Sequence, residues 1–290
     1  MKILLLGKTG LLGQSLFSAL PKDHEVFAPT HAECDITKLE TIKKIIDEQK
    51  PEVVINAVGY TQVDKAEHEK DLAYKLNSRG VLNIINCIKS TNIELVHFST
   101  DYVFDGTKKV GYQESDKTNP LSVYGASKAE AEAEILKDLT NFYLVRTSWV
   151  FGPGGKNFVD TMLNLAKKHE PIKVVNDQTG CPTLTLDLAE AVLALLKTKK
   201  YGIYHLVNDG SCSWYEYACE IFNQLGISQE VLPITSQELK RDAVRPQNSI
   251  LLNTKAPKLR NWKEALTAYL TDKSLILGKE LFWQEETADG

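Results

Sequence analysis

The chain has 290 residues, 43% apolar and 25% charged, with a formal net charge of −4 and a pI of about 5.9. That length holds one large α/β domain or two lobes sharing a core, and the balance is that of an ordinary soluble protein. No basic tract points to nucleic acid as a partner, no apolar segment approaches the ~18 residues that span a membrane, and the run Ile3-Leu4-Leu5-Leu6 is too short for the core of a signal peptide. The cysteines, Cys34, Cys87, Cys181, Cys212 and Cys219, form no CxxC pair and are odd in number. They predict reduced thiols in a cytoplasmic protein, with no disulfide framework and no zinc site.

Lys2–Leu6 predicts a buried parallel strand. Gly7-Lys8-Thr9-Gly10-Leu11-Leu12-Gly13 follows as a GxxGxxG turn, and Leu11, Leu12, Leu16 and Leu20 then recur at helical spacing up to Pro21. Strand, glycine turn and helix are the context a dinucleotide-binding fingerprint requires. Gly7, Gly10 and Gly13 permit a tight turn and close approach of backbone to pyrophosphate. Leu11 and Leu12 open a helix whose free N–H groups and dipole favour that anion.

The second strand, Glu25–Pro29, runs into Thr30-His31, where an NAD-specific site would carry an acid for the ribose hydroxyls. The missing carboxylate favours NADPH, with NADH also usable. His31 is either a neighbour of the 2′-phosphate or a solvated loop residue. Thr37 with Glu40 fits a capping box for a helix striped with Leu39, Ile42, Ile45 and Ile46. Val53–Ile55 is a third strand, and small residues at its end leave room for a cofactor. One long helix then carries Leu72, Leu76, Val81, Leu82 and Ile85, with Asp64 and Glu67 as helix-start residues and Asn77 holding a backbone group behind the site.

Leu95–Phe98 predicts a short buried strand that ends in Ser99-Thr100-Asp101. After a loop with Asp105-Gly106 and Asn119-Pro120, a helix starting near Leu121 carries Tyr124 and Lys128. Residues four apart share one helix face. An ammonium beside a phenol lowers the phenol's pKa, which would make Tyr124 a proton donor and acceptor near neutral pH. Thr100 adds a hydroxyl for the same substrate oxygen. The glutamates up to Leu139 read as a solvated face. Phe142–Thr147 is a further strand, and Trp149, beyond its carboxyl end, is either a wall of a ligand site or a core tryptophan.

This alternation predicts an α/β fold with a doubly wound parallel sheet over residues 1–150. Residues 185–208, a helix Leu186–Leu196 capped by Thr185 and a strand Gly202–Val207, return to it. Residues 151–184 and 209–290 form a smaller C-terminal lobe. There Ser213 and Glu216 fit a second capping box, Trp214, Ala218, Ile221, Phe222 and Leu225 line a core face, and Gly226 ends the helix. Trp262, Leu266, Tyr269 and Leu270 stripe a last helix, and the tail Gln284–Gly290 reads as loose.

Four strings stand out: STDYVFDG…YGASK, NAxxYTxVDxAE from Asn56 to Glu67, DQxGxPT from Asp177 to Thr183, and RPxNS from Arg245 to Ser249. Together they resemble the extended short-chain dehydrogenase/reductase superfamily, and within it the dTDP-4-dehydrorhamnose reductase family. The resemblance covers nearly the whole chain, with the motifs in order. It implies a Rossmann domain with a substrate lobe, and hydride transfer from NADPH to the C4 keto group of dTDP-4-dehydro-β-L-rhamnose. The product, dTDP-β-L-rhamnose, feeds bacterial surface polysaccharides.

In that scheme Tyr124 protonates the sugar oxygen and also contacts the cofactor, Lys128 lowers the tyrosine pKa and holds the nicotinamide ribose, and Thr100 polarises the carbonyl. Ala57, Gly59, Tyr60 and Thr61 line the nicotinamide ribose. Asp35, followed by Ile36, either meets the adenine amino group or caps its own turn. Thr100, Asp101, Tyr102 and Trp149 border the substrate. Arg245 either pairs bidentately with its diphosphate or lies on the surface.

Two other enzymes compete, an epimerase and a 4,6-dehydratase. The dehydratase would carry an Asp-Glu pair after the threonine, but Asp101 is followed by Tyr102. A non-catalytic NADP-binding regulatory subunit is the reading from another class. Some members of the family hold Mg²⁺ through glutamates near the first helix. Here that helix has Gln14 and Ser15, so no metal requirement is expected. A homodimer is compatible with the sequence.

Overall fold

In the computed structural model, which describes residues 1–20 and 24–277, strand and helix alternate from the start of the chain. The first half runs β1 (Lys2–Leu6), α1 (Leu11–Ala19), β2 (Glu25–Phe27), α2 (Leu39–Gln49), β3 (Val53–Asn56), α3 (Val63–His68), α4 (Lys70–Tyr74), α5 (Gly80–Ile88), β4 (Glu94–Thr100), α6 (Val123–Asp138) and β5 (Phe142–Thr147). The second half runs β6 (Val150–Phe151), α7 (Phe158–Ala166), β7 (Ile172–Val175), β8 (Thr179–Gly180), β9 (Thr183–Leu184), α8 (Thr185–Thr198), β10 (Gly202–His205), β11 (Cys212–Ser213), α9 (Trp214–Leu225), β12 (Val231–Ile234), α10 (Ser236–Leu239) and α11 (Trp262–Leu277). Pro21 and the tail 284–290 lie outside the described residues. No helix among those described is long and apolar enough to cross a membrane.

Six strands form one sheet in the order β10-β5-β4-β3-β1-β2, and every neighbouring pair is parallel. The continuous apolar runs follow from burial on both faces. On one face Ile3, Leu5, Val96 and Val145 pack with Leu16 of α1 and Leu188, Val192 and Leu196 of α8. On the other, Leu4, Val54, Leu95 and Leu144 pack with α2, α5 and Ile135 of α6. The chain leaves β1 in one direction to β2 and in the other to β3, so the sheet has a switch point between β1 and β3. That is where an open parallel sheet has its crevice. A third core joins Phe151, Val159, Leu184, Tyr217, Ile221, Phe222, Trp262 and Leu266.

Several expected local features resolve differently. Thr37 does not cap α2. Its N–H and hydroxyl both donate to Asp35 Oδ1, at 3.0 and 2.8 Å, an Asx-type turn that delays the helix to Leu39. The long helix after β3 is three pieces: α3, α4 and, after a π-type turn over Lys75–Arg79, α5. Asn77 sits in that turn and holds the backbone of Tyr60, accepting from its N–H at 2.7 Å and donating to its carbonyl at 3.1 Å. Thr185 belongs to α8 itself, and its hydroxyl accepts from Ser15 of α1 at 2.7 Å. The glutamates of α6 are not all solvated, because Glu132 is buried.

Candidate active site

Two clefts open at the carboxyl ends of the strands. The first, about 370 Å³, lies over the β1–β3 switch point. Gly7, Gly10, Ile36, Ala57 and Gly59 line it, with Lys8, Thr30, His31 and Val58 beside them. Gly7 has φ +85°, and a Cβ there would stand 2.8 Å from the Ala57 carbonyl carbon. A Cβ on Gly13 would stand 2.0 Å from the Gly7 carbonyl oxygen.

The N-terminus of α1 carries no side-chain cap and no acid in its first turn, so its N–H groups and dipole are free to meet an anion. A glycine cradle, an uncapped helix and the side chains of Lys8 and His31 at the cleft fit a dinucleotide. Leu11, Leu12 and Gly13 follow Gly10 in the first turn of α1, but neither they nor Asp35, Tyr60 and Thr61 are among the residues lining the cleft. Asp35 is engaged in its own turn. Gly13→Ala should destabilise the fold by about 1–3 kcal/mol through overpacking against backbone. It should also weaken dinucleotide affinity about tenfold or more. Thermal melts with titration of nicotinamide fluorescence check both, and unchanged values would reject this role for Gly13.

Thr100, Tyr124 and Lys128 converge at the end of β4. Thr100 is buried, its hydroxyl donates to Asp101 Oδ1 at 3.0 Å, and the half-buried Tyr124 phenol faces that hydroxyl. Ser122 caps α6 by accepting the Gly125 N–H at 3.2 Å, which aims the first turn of α6 at the strand end. Burial pushes Tyr124 up to about 12, and the Thr100 hydrogen bond only partly opposes that. The expected effect of Lys128 on Tyr124 is not seen here. Lys128 Nζ donates instead to the Phe98 carbonyl at 2.5 Å and lies 3.3 Å from His97 Nε2, and burial lowers its own pKa to about 8.

Asp101 is buried, and burial raises it to about 6 against hydrogen bonds from Ser249 and Thr100. Its Oδ2 has no hydrogen-bond partner among the described residues. Tyr102 meets Tyr124 edge-on, with ring centres 5.8 Å apart, and its phenol faces the Arg245 guanidinium.

Arg245 borders the second cleft, about 900 Å³, together with Arg241, Lys108, Lys109, Leu121 and Val244. Arg245 is not a free surface arginine. Both its terminal nitrogens pair with Asp64, at 2.9 Å each, and its side chain is 13% exposed. Arg241 adds a third contact to Asp64 at 3.0 Å. These bonds hold the Asp64 carboxyl well below the usual range. Asp64 is thus more than a helix-start residue, since it ties α3 to the segment after α10. Glu67 likewise accepts the Val123 N–H at 2.8 Å and anchors the start of α6.

Trp149 has φ +46°, a left-handed conformation rare outside glycine. It is half-buried and stacks on Trp214 at 3.5 Å, with Gly180 pressed against its indole. Such strain persists only where surrounding packing imposes it. Reading the chain alone missed Asn56, His97 and the Glu132–Arg146 pair. For Asn56, His97 and Arg146 the signal was a polar residue at a strand position among apolar neighbours, whereas Glu132 lies on α6 and gave none.

The family model described as RmlD substrate binding domain matches residues 1–275. A dTDP-4-dehydrorhamnose reductase of Aggregatibacter actinomycetemcomitans is 41% identical over 285 residues, covering 91% of this chain and 97% of that protein. A crystal structure of a dTDP-4-dehydrorhamnose reductase from Clostridium acetobutylicum superposes with a TM-score of 0.91 at 43% identity, covering 94% of this chain and 100% of that one. One from Bacillus anthracis, solved in complex with NADP, gives 0.91 at 35% identity, covering 93% and 99%. With the glycine cradle, the Thr100–Tyr124–Lys128 cluster and this similarity along almost its entire length, the chain belongs to the dTDP-4-dehydrorhamnose reductase family.

Proposed function

We propose that the protein reduces the C4 keto group of dTDP-4-dehydro-β-L-rhamnose to dTDP-β-L-rhamnose with NADPH. The convergence of Thr100, Tyr124 and Lys128 beside the dinucleotide cleft carries this reading, and family membership supports it. Gly7, Gly10, Gly13, Leu11 and Leu12 hold the pyrophosphate, with Ala57, Gly59, Tyr60 and Thr61 beyond it, and His31 and Lys8 favour the 2′-phosphate. Bound NADPH supplies the hydride to the sugar C4.

Tyr124, protonated at neutral pH, gives its proton to the sugar oxygen as charge develops there, and solvent replaces that proton afterwards. Thr100, whose hydroxyl donates to Asp101 in the free protein, turns that hydrogen to the same oxygen. Lys128 orients the cofactor end of the site. Asp101 and Tyr102 border the sugar, and Trp149 walls it. The cationic rim of the larger cleft, Arg241, Lys108 and Lys109, faces the diphosphate, with Arg245 held behind it by Asp64. We assign the substrate lobe to 151–184 and 209–290, supported by its separate core, and the dinucleotide domain to 1–150 with 185–208. The five free cysteines support a cytoplasmic location.

The test follows absorbance of the reduced nicotinamide with NADPH and enzymatically made dTDP-4-dehydrorhamnose. One NADPH should be consumed per keto-sugar reduced. Conversion without net NADPH loss would indicate an epimerase. Tight NADPH binding with no oxidation of any keto-sugar offered would favour a regulatory subunit.

A further inference from the structure

Beneath Lys128 lies a buried chain of polar groups. His97 is on β4, directly across the sheet from Asn56 of β3, and both are 0% exposed. Asn56 Oδ1 accepts the Val58 N–H at 3.1 Å, so its amide nitrogen is the atom facing His97 Nδ1, at 3.2 Å. A neutral imidazole carries one hydrogen, and a ring nitrogen that accepts leaves that hydrogen on the other. His97 therefore presents Nε2–H to Lys128 Nζ, 3.3 Å away. A neutral amine matches both of these contacts. It donates to the Phe98 carbonyl at 2.5 Å and accepts from His97. An ammonium has no lone pair and meets Nε2–H donor to donor.

We propose that Asn56 and His97 are positioning residues that couple the proton on Lys128 to the dinucleotide cleft. When Lys128 binds a proton, His97 must move its hydrogen to Nδ1. The Asn56 amide must then turn to accept it, releasing the Val58 N–H that borders the cleft. The net change is one proton taken from solvent by Lys128, and His97 stays neutral throughout. By reciprocity, a dinucleotide that draws the Val58 amide to itself favours the ammonium.

The other charged groups around Lys128 are already engaged. Glu132, one turn along α6, is paired with Arg146 and Ser99. Glu130 is bonded to Ser78, Glu67 to Val123 and Glu69 to Tyr60. Asp101 faces Thr100 and Ser249, and Tyr124 keeps its proton. Burial and Lys128 itself hold His97 well below its ordinary pKa, which keeps it neutral.

The inference rests on Lys128 belonging to the site, but its test needs no sugar and no turnover, so it stands or falls apart from the reductase reading. NMR of ¹⁵N-histidine protein, with His97 assigned through His97→Gln, should show Nε2–H above the Lys128 titration and Nδ1–H below it. In Asn56→Asp, a carboxylate accepts from Val58 and from Nδ1–H at once. There Nδ1–H should persist at all pH values, and the Lys128 titration should rise by about one pH unit or more, a tenfold effect or greater. Should the Asn56→Asp variant fail to fold, the parent's tautomer switch decides alone. An unchanging tautomer in the parent overturns the proposal. So does a raised Lys128 titration in Asn56→Asp without the tautomer change, since charge alone would explain it.

Discussion

Replacing Tyr124 with phenylalanine is expected to lower turnover by about two to four orders of magnitude, the usual contribution of a positioned general acid, and to leave NADPH affinity near that of the parent. The phenol touches Thr100 and Tyr102 and lines no part of the dinucleotide cleft. Removing its hydroxyl therefore removes a proton donor with little disturbance of binding. Burial holds its pKa near 12, so the proton is present at every working pH and is delivered only as the alkoxide forms. Stopped-flow oxidation of NADPH with the keto-sugar measures the loss, and fluorescence titration measures affinity. Near-parental turnover would remove Tyr124 from the mechanism.

Arg146→Met should cost about 3–5 kcal/mol of stability, because it strands a buried carboxylate. Arg146 and Glu132 are each 3% exposed and meet at 2.6 Å. Glu132 also accepts from Ser99 Oγ at 2.5 Å, and Arg146 lies over the Phe104 ring, 5.0 Å from its centre. The pair joins α6 to β4 and β5 directly behind Thr100. Replacing both partners by methionine should recover most of the loss, since no charge is then left unpaired in the interior. Urea unfolding of the two single variants and the double variant measures this. A double variant as unstable as the sum of the singles would show that packing, not the stranded charge, sets the cost.

These predictions differ in how far the chain alone announced them. Tyr124 and Lys128 share a helix face by spacing, and Thr100 ends an apolar run, so local periodicity placed each on its element, while the approach of α6 to the end of β4 is tertiary. The GxxGxxG turn was equally legible, because Gly7 and Gly13 are demanded by backbone contacts within one strand–turn–helix unit. The glutamates of α6 were misread for the converse reason. Glu132 is buried only because Arg146, fourteen residues away, arrives on the neighbouring strand. Arg245 was legible as a cation and illegible as a partner of Asp64, which is 181 residues distant.

What the sequence by itself determined is therefore what short-range physics governs: the alternation of buried strands and amphipathic helices, the glycine cradle, the Ser213–Glu216 capping box that α9 displays, and the placing of Tyr124 and Lys128 on one helix face. Only the tertiary structure decided which polar groups lose their water. It turned Lys128 toward His97 and Phe98 rather than toward Tyr124. It set Asn56 beneath His97, stacked Trp149 on Trp214 and tied Asp64 across to Arg245. Desolvation and hydrogen bonding between distant segments fix protonation states, and neither is encoded in spacing along the chain.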